Sequence, residues 1–167
     1  MARLSDNLRR VQPLARLQKT LSSLRRGKKV VLTNGVFDLL HLGHVTYLEK
    51  ARRLGDLLVV AVNGDESVRA LKGPTRPVHP EAARAGVLAA LRCVDYCTIF
   101  HDLRVTDVIL TIRPDVYVKG GDYTVGSLNP QERRALKEVG ARVKILPMVE
   151  GYSTTAALRK IFQEVAS

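Results

Sequence analysis

Residues 29–54, KVVLTNGVFDLLHLGHVTYLEKARRL, constrain the fold more than any other stretch of the chain. Lys29 to Thr33 is short, apolar and β-branched, the pattern of a strand buried on both faces. Asn34-Gly35 is a turn dipeptide at which the backbone can take φ > 0. Helical spacing resumes with Val45, Leu48, Ala51 and Arg52 and stops at Leu54-Gly55, with Gly55 placed to cap the helix. His41 and His44 lie between turn and helix, with Gly43 between them.

The rest of the chain repeats the strand–helix alternation. Leu4, Leu8, Val11, Leu14, Leu17, Leu21 and Leu24 recur at gaps of three and four and define one helical face, with Pro13 opening the main helix and Gly27 ending it. This gives an N-terminal helical extension, 1–27, packed on the domain or on a second subunit, and a domain over 28–167. Further strands are expected at 56–63, 96–100, 115–119 and 142–146, and helices at 65–71, 81–91, 105–112, 130–139 and 154–165, the last with Ser153 as N-cap. Lys72 to Pro80 carries Gly73, Pro74, Pro77 and Pro80 and reads as an ordered loop. Alternating strands and helices imply parallel pairing with right-handed crossovers. The expected fold is α/β: a Rossmann-like, doubly wound, five-stranded parallel sheet with helices on both faces, plus the N-terminal helix. Such sheets bind ligands beyond the carboxyl ends of their strands, near the switch in strand order. That rule gathers Asn34-Gly35, Asn63 to Asp65, Lys119 to Asp122 and Ser153 to Thr155 on one edge.

At a helix start, two imidazoles three residues apart can face the same way, beside unpaired N–H groups and the positive end of the helix dipole. Gly43 lets a ligand approach the backbone. An anion, best a polyphosphate, fits there, and the imidazoles can donate to its oxygens. The plainer alternative is two polar residues capping a helix. It explains one histidine better than it explains two with Gly43 and the Asn-Gly turn after a buried strand.

Charge and cysteines narrow the classes. The formal net charge is +11, from 27 Lys and Arg against 16 Asp and Glu. Nucleic acid, phosphorylated small molecules and simple solubility all fit such a balance, but the basic residues are scattered and there are only five Tyr and three Phe to stack on bases, so nucleic acid ranks last. Cys93 and Cys97 make neither a disulfide framework nor a zinc site and read as small buried apolar side chains. No apolar run reaches membrane-spanning length, and the basic N-terminus lacks the apolar core of a signal peptide, so no membrane association and a cytoplasmic location are expected.

The run Asn34-Gly35-Val36-Phe37-Asp38-Leu39-Leu40-His41-Leu42-Gly43-His44 resembles the signature of the His-x-Gly-His nucleotidyltransferase superfamily, in its cytidylyltransferase-like branch. From about Lys28 to Ile161 the chain is similar to the adenylyltransferase half of the bifunctional ADP-heptose synthesis enzymes, through TNGVFDLLHLGHVTYLEKARRLGD, VVAVNGDESVRALKGPTRPV, VYVKGGDYT and EGYSTT. The resemblance implies transfer of AMP from ATP to a heptose 1-phosphate, with release of pyrophosphate. In such a reaction an acceptor phosphate attacks the α-phosphorus, and positioning and electrostatics do nearly all the work.

On that reading His41, His44 and Lys72 are catalytic. Thr33, Asn34, Gly35, Phe37, Gly43, Lys119, Gly120, Gly121, Asp122, Ser153, Thr154 and Thr155 bind the nucleotide. Asp38, Asn63, Asp65, Arg76 and Arg84 bind the acceptor. Mg²⁺ or another divalent cation is expected with the triphosphate, with Asp38 and Asp65 as candidate ligands. The apolar N-terminal helix suggests a homodimer, the commonest symmetry. The sugar-kinase half of those enzymes is absent from this sequence, which reads as a stand-alone domain. Asn63-Gly64-Asp65 replaces the usual Asn-Ser-Asp, and Val125 to Arg134 departs from the usual acidic pattern, so the acceptor sugar can differ. The rivals are a cytidylyltransferase or adenylyltransferase for another phosphorylated acceptor, such as glycerol 3-phosphate or FMN, and a non-enzymatic nucleotide- or nucleic-acid-binding module.

Overall fold

The structure is a computed structural model that describes residues 7–165 except 122, 125, 148 and 150. Five strands, β1 (Val30–Gly35), β2 (Leu57–Asn63), β3 (Tyr96–Phe100), β4 (Val116–Gly120) and β5 (Arg142–Leu146), form one parallel sheet in the order β3-β2-β1-β4-β5. The helices between and before them are α1 (Leu14–Leu24), α2 (Leu42–Arg52), α3 (Asp65–Lys72), α4 (Glu81–Ala89), α5 (Thr106–Ile112), α6 (Pro130–Val139) and α7 (Thr154–Val165). The winding direction reverses between β1 and β4, which are neighbours although distant in sequence. A crevice opens at such a switch because the connections on its two sides leave toward opposite faces.

Side chains alternate across the sheet with a period of two, and both faces are covered. Val30, Leu32, Leu57, Val59, Ala61 and Tyr117 pack with Leu17 and Leu21 of α1, with Val108, Ile109 and Ile112 of α5, and with Ala135 and Leu136 of α6. Val31, Leu58, Val60, Val62, Val116 and Val118 pack with Tyr47, Leu48 and Ala51 of α2 and with Ala85, Leu88 and Ala89 of α4. This double coverage is why β1 and β2 read as unbroken apolar runs. Helix α1 shares the first of these cores, with Leu17 and Leu21 essentially solvent-free. The chain ahead of α1 runs beside β3: the Cys97 amide donates to Arg10 O at 2.9 Å and the Gln12 amide donates to Cys97 O at 2.9 Å. Cys97 is buried, which pushes its thiol up to about 12, while Cys93 is only half-buried.

Two local expectations are corrected. Gly55 does not cap α2; Arg53 in right-handed geometry does, and its N–H reaches Glu49 O and Ala51 O. Gly55 is required by crowding instead, because a Cβ there would lie 2.7 Å from Val31 Cγ2 and 2.8 Å from Lys29 O. Asn34-Gly35 extends β1 rather than forming the turn. The left-handed backbone falls at Phe37, with φ +48°. An aromatic residue there is strained and is held by its surroundings. Phe37 is 7% exposed, and its ring lies where a Cβ on Gly35 would come within 2.9 Å of Cε2.

Candidate active site

A cleft of about 760 Å³ lies over the carboxyl ends of the strands. Its walls come from the β1–α2 connection, the α3–α4 loop, the β4–α6 connection and the start of α7. A volume of this size accommodates a nucleotide-sized ligand.

The two histidines meet as their spacing predicts. His41 is the N-cap residue of α2, in extended geometry, and His44 lies one turn along. Their rings stack with centroids 3.8 Å apart and planes 23° apart. Phe37 meets His44 edge-on at 5.4 Å, and Tyr152 lies over His41 at 6.1 Å. Nδ1 of each imidazole is shut from solvent and has no hydrogen-bond partner among the described residues. That leaves Nε2 of each ring to meet a ligand. Burial lowers the pKa of both, that of His44 to about 4 with help from the neighbouring His41, so the pair is neutral near pH 7. Gly43 is needed for this stack: a Cβ there would lie 3.0 Å from His41 Nδ1 and 3.2 Å from Tyr152 Cβ.

Lys119, at the end of β4, donates from Nζ to Asn34 Oδ1 at 2.8 Å. Tyr117 donates to the same oxygen at 2.7 Å. Asn34 is thereby fixed on the cleft floor with its amide group still free to donate. Burial holds Lys119 below the usual lysine range, opposed by the charge of Glu132, and its Nζ lies 5.5 Å from the centre of the Tyr123 ring. Ser153, Thr154 and Thr155 bring the start of α7 to the cleft, where Thr154 Oγ1 donates to Leu39 O at 3.4 Å. Gly35, Phe37, Gly43, Gly120, Asn63, Lys72 and Arg76 also line it.

Other expected site residues are used differently. Thr33 is fully buried, and its hydroxyl bonds that of Tyr47 at 2.7 Å, so it does not reach the cleft. Gly121, at φ +98°, is behind the wall, its N–H on Leu146 O at 3.1 Å. Asp122 lies outside the described residues. Arg84 is a buried strut and not an acceptor ligand: it donates to His79 O, Val36 O, Asn63 O and the Asp65 carboxylate at 2.6–2.9 Å. Asp65 is consumed by that pair and does not line the cleft.

Asp38 is 4% exposed and takes Arg76 Nε at 2.6 Å and the amides of Val78 and His79 at 2.9–3.0 Å. Burial pushes its carboxyl up, but the two amides and the guanidinium together outweigh that and hold its pKa below the ordinary value. Asp38 therefore folds the α3–α4 loop over the cleft and presents Arg76 there. Both candidate metal ligands are thus occupied. Among the described residues no three His, Cys, Asp or Glu side chains come together to hold an ion. The donor set suits a cation carried in by phosphate oxygens and water rather than a resident one.

Sequence reasoning missed Tyr47, Tyr117 and Tyr152, which hold or cover the site, and Arg104, Asn129 and Glu132 on the opposite wall. Tyr47 and Tyr117 sit inside a helix and a strand, and only the fold reveals what they face; Tyr152 precedes α7 with no periodicity to mark it. Glu132 lies in the atypical stretch 125–134 and carried the one available signal, a change of pattern.

The comparisons agree with this geometry. The "Bifunctional protein HldE" of Syntrophotalea carbinolica is 48% identical over 159 residues, 95% of this chain and 30% of the relative. That of Citrifermentans bemidjiense is 52% identical over 136 residues, 81% of this chain and 28% of the relative. The chain thus spans under a third of the length of these relatives. Among solved structures, the lipopolysaccharide core biosynthesis protein of Thermoplasma volcanium superposes with a TM-score of 0.61 at 29% identity, covering 76% of this chain and 100% of that one. Pantothenate synthetase of Thermus thermophilus, at 20% identity and a TM-score of 0.54 over 84% of this chain and 62% of that one, shares the fold. The cytidylyltransferase-like family model matches residues 32–160, from β1 into α7 and including the histidine pair; the chain belongs to that family.

Proposed function

We propose that this protein is an adenylyltransferase that moves AMP from ATP to a sugar 1-phosphate, heptose 1-phosphate being the first candidate, to give ADP-heptose and pyrophosphate. The observation that carries this reading is the neutral, stacked His41–His44 pair with its buried Nδ1 atoms, set at a helix start in a nucleotide-sized cleft. The resemblance to the HldE proteins supports the choice of nucleotide and acceptor.

In the proposed reaction an acceptor phosphate oxygen bonds to the α-phosphorus, and the bond to the bridging oxygen breaks. Pyrophosphate leaves with that electron pair. His41 and His44 donate from Nε2 to the α-phosphate and the bridging oxygen, where charge grows. Neutral imidazoles suit this: they enter the complex as donors, and the incoming phosphate charge draws them toward protonation. The start of α7 receives the departing phosphates with free N–H groups and hydroxyls. Lys72 and Arg76 offset the acceptor charge. A divalent cation, expected with ATP, supplies charge neutralisation of the phosphates. No protein nucleophile is needed.

Pyrophosphate release, measured with each nucleoside triphosphate against a panel of heptose and hexose 1-phosphates, glycerol 3-phosphate and FMN, tests the assignment. ATP with a heptose phosphate should give the highest kcat/KM. Release with CTP alone would favour the cytidylyltransferase reading that the family description suggests. Absence of release with every pair, together with salt-dependent binding to nucleic acid that ignores His41→Ala, would leave a binding module. A homodimer and a cytoplasmic location complete the proposal; no helix among the described residues is long and apolar enough to cross a membrane.

A further inference from the structure

The cleft has two unlike walls. His41, His44 and Gly43 start α2, which packs on one face of the sheet, and a Cβ on Gly43 would lie 3.2 Å from Tyr152 Cβ just ahead of α7, so the phosphate-gripping elements adjoin. The facing wall comes from the other layer and holds Leu103 and Arg104 before α5, with Leu128, Asn129 and Glu132 at the start of α6. Glu132 is the anomaly. It is 6% exposed, lines the cleft, and makes no hydrogen bond or ion pair with a described residue. The other nearly buried carboxylate among the described residues, Asp38, is saturated by three donors. Its carboxylate oxygens are not among the buried polar atoms that lack a partner; they open onto the cleft, where a ligand's donors can reach them.

Chemistry limits what that ligand group can be. A carboxylate repels phosphate and offers only acceptor sites, so it wants hydroxyl or amino donors. Lys119 is near enough for Glu132 to influence its protonation, and exposed Arg104 acts on the same lysine. Cations beside an acceptor-only group match a molecule that carries phosphate at one end and hydroxyls along the other. Direction adds to this. In an in-line displacement the attacking group enters opposite the leaving group. With pyrophosphate leaving toward α2 and α7, the acceptor comes from the wall that holds Glu132.

Resting on the adenylyltransferase reading above, we propose that Glu132 reads the acceptor sugar, taking hydrogen bonds from its ring hydroxyls, with Asn129 beside it, while Lys119 and Arg104 add to the positive charge that Lys72 and Arg76 set against its phosphate. Asn129 has its Oδ1 engaged by the Gln131 amide at 2.9 Å, which leaves its Nδ2 to donate to a sugar oxygen. Glu132 is thus a specificity residue for the acceptor and not part of the phosphoryl-transfer machinery.

The test is Glu132→Gln, of equal size, in the full chain. Pyrophosphate release is followed with ATP and the best sugar 1-phosphate of the panel, and with its deoxy analogues. The expected result is a KM for the sugar phosphate raised about ten- to a hundredfold, with KM for ATP within about twofold and a melting temperature at or above the parent's. The variant should also discriminate less between the sugar and the deoxy analogue that lacks the recognised hydroxyl. An unchanged sugar KM would overturn the proposal. So would a shift confined to ATP and lost with 2′-deoxy-ATP, which would assign Glu132 to the ribose. A lowered melting temperature with unchanged sugar discrimination would make it a structural group. If the parent protein releases no pyrophosphate with any sugar phosphate, the adenylyltransferase reading fails first, and this assignment falls with it.

Discussion

Two clusters of ionisable side chains border the same cleft and differ in one respect. Around Asp38, Asp65, Arg76 and Arg84 every charge is answered: Arg84 alone makes four hydrogen bonds with its side chain fully buried. At His41 and His44 the buried Nδ1 atoms have no hydrogen-bond partner among the described residues. The first cluster is finished without a ligand and serves to shape the α3–α4 loop. The second is incomplete without one. Residue type alone does not separate architecture from chemistry here; saturation does.

The largest effect should come from breaking the finished cluster. Arg84→Met strands the Asp65 carboxylate and three backbone carbonyls and should cost about 3–5 kcal/mol of stability in denaturant unfolding. His41→Ala and His44→Ala should lower kcat by about 10²–10³-fold each while leaving the unfolding midpoint nearly unchanged. If instead the histidine variants unfold and Arg84→Met stays stable but inactive, the division is reversed. Asp38→Ala removes the acceptor for two amides and Arg76, and should cost roughly 1–3 kcal/mol and raise KM for the acceptor through a looser loop.

The smallest effect is a pH dependence. The folded pKa of His44 is lowered to about 4 from 6.5, so between those values the unfolded chain takes up a proton that the folded protein refuses. Stability from this residue is complete above about pH 6.5, falls as the pH drops toward 4, and levels below it. Melting temperatures of the parent and His44→Gln should agree near pH 7 and separate on acidification toward pH 4, the parent falling further, if His44 is the source. Parallel curves would deny it that role.

The sheet was legible because its central strands, β1 and β2, are buried on both faces and its elements are punctuated by glycine and proline. The 96–100, 130–139 and 142–146 elements match residue for residue. The histidine pair was legible for the same reason: its spacing is local. What escaped was long-range. Arg84 looks like an acceptor ligand until the ends of β1 and β2 and the start of α3 converge on it, and Thr33 looks like a strand-end ligand until Tyr47 covers it. Gly55 looks like a helix stop until Val31 and Lys29 are seen against it. In each case the deciding partner comes from another element of the fold, at a distance along the chain that no periodicity encodes.

The peptide at Cys97 is clasped on both sides by residues 10 and 12. A shortened protein that starts after Pro13 would uncover those polar groups along the outer rim of the sheet and offer a template on which a second molecule could polymerise. The far rim, β5, carries exposed Arg142 and Lys144, whose like charges discourage such stacking. Purification tags and truncations therefore belong ahead of residue 10, where they leave the clasp intact.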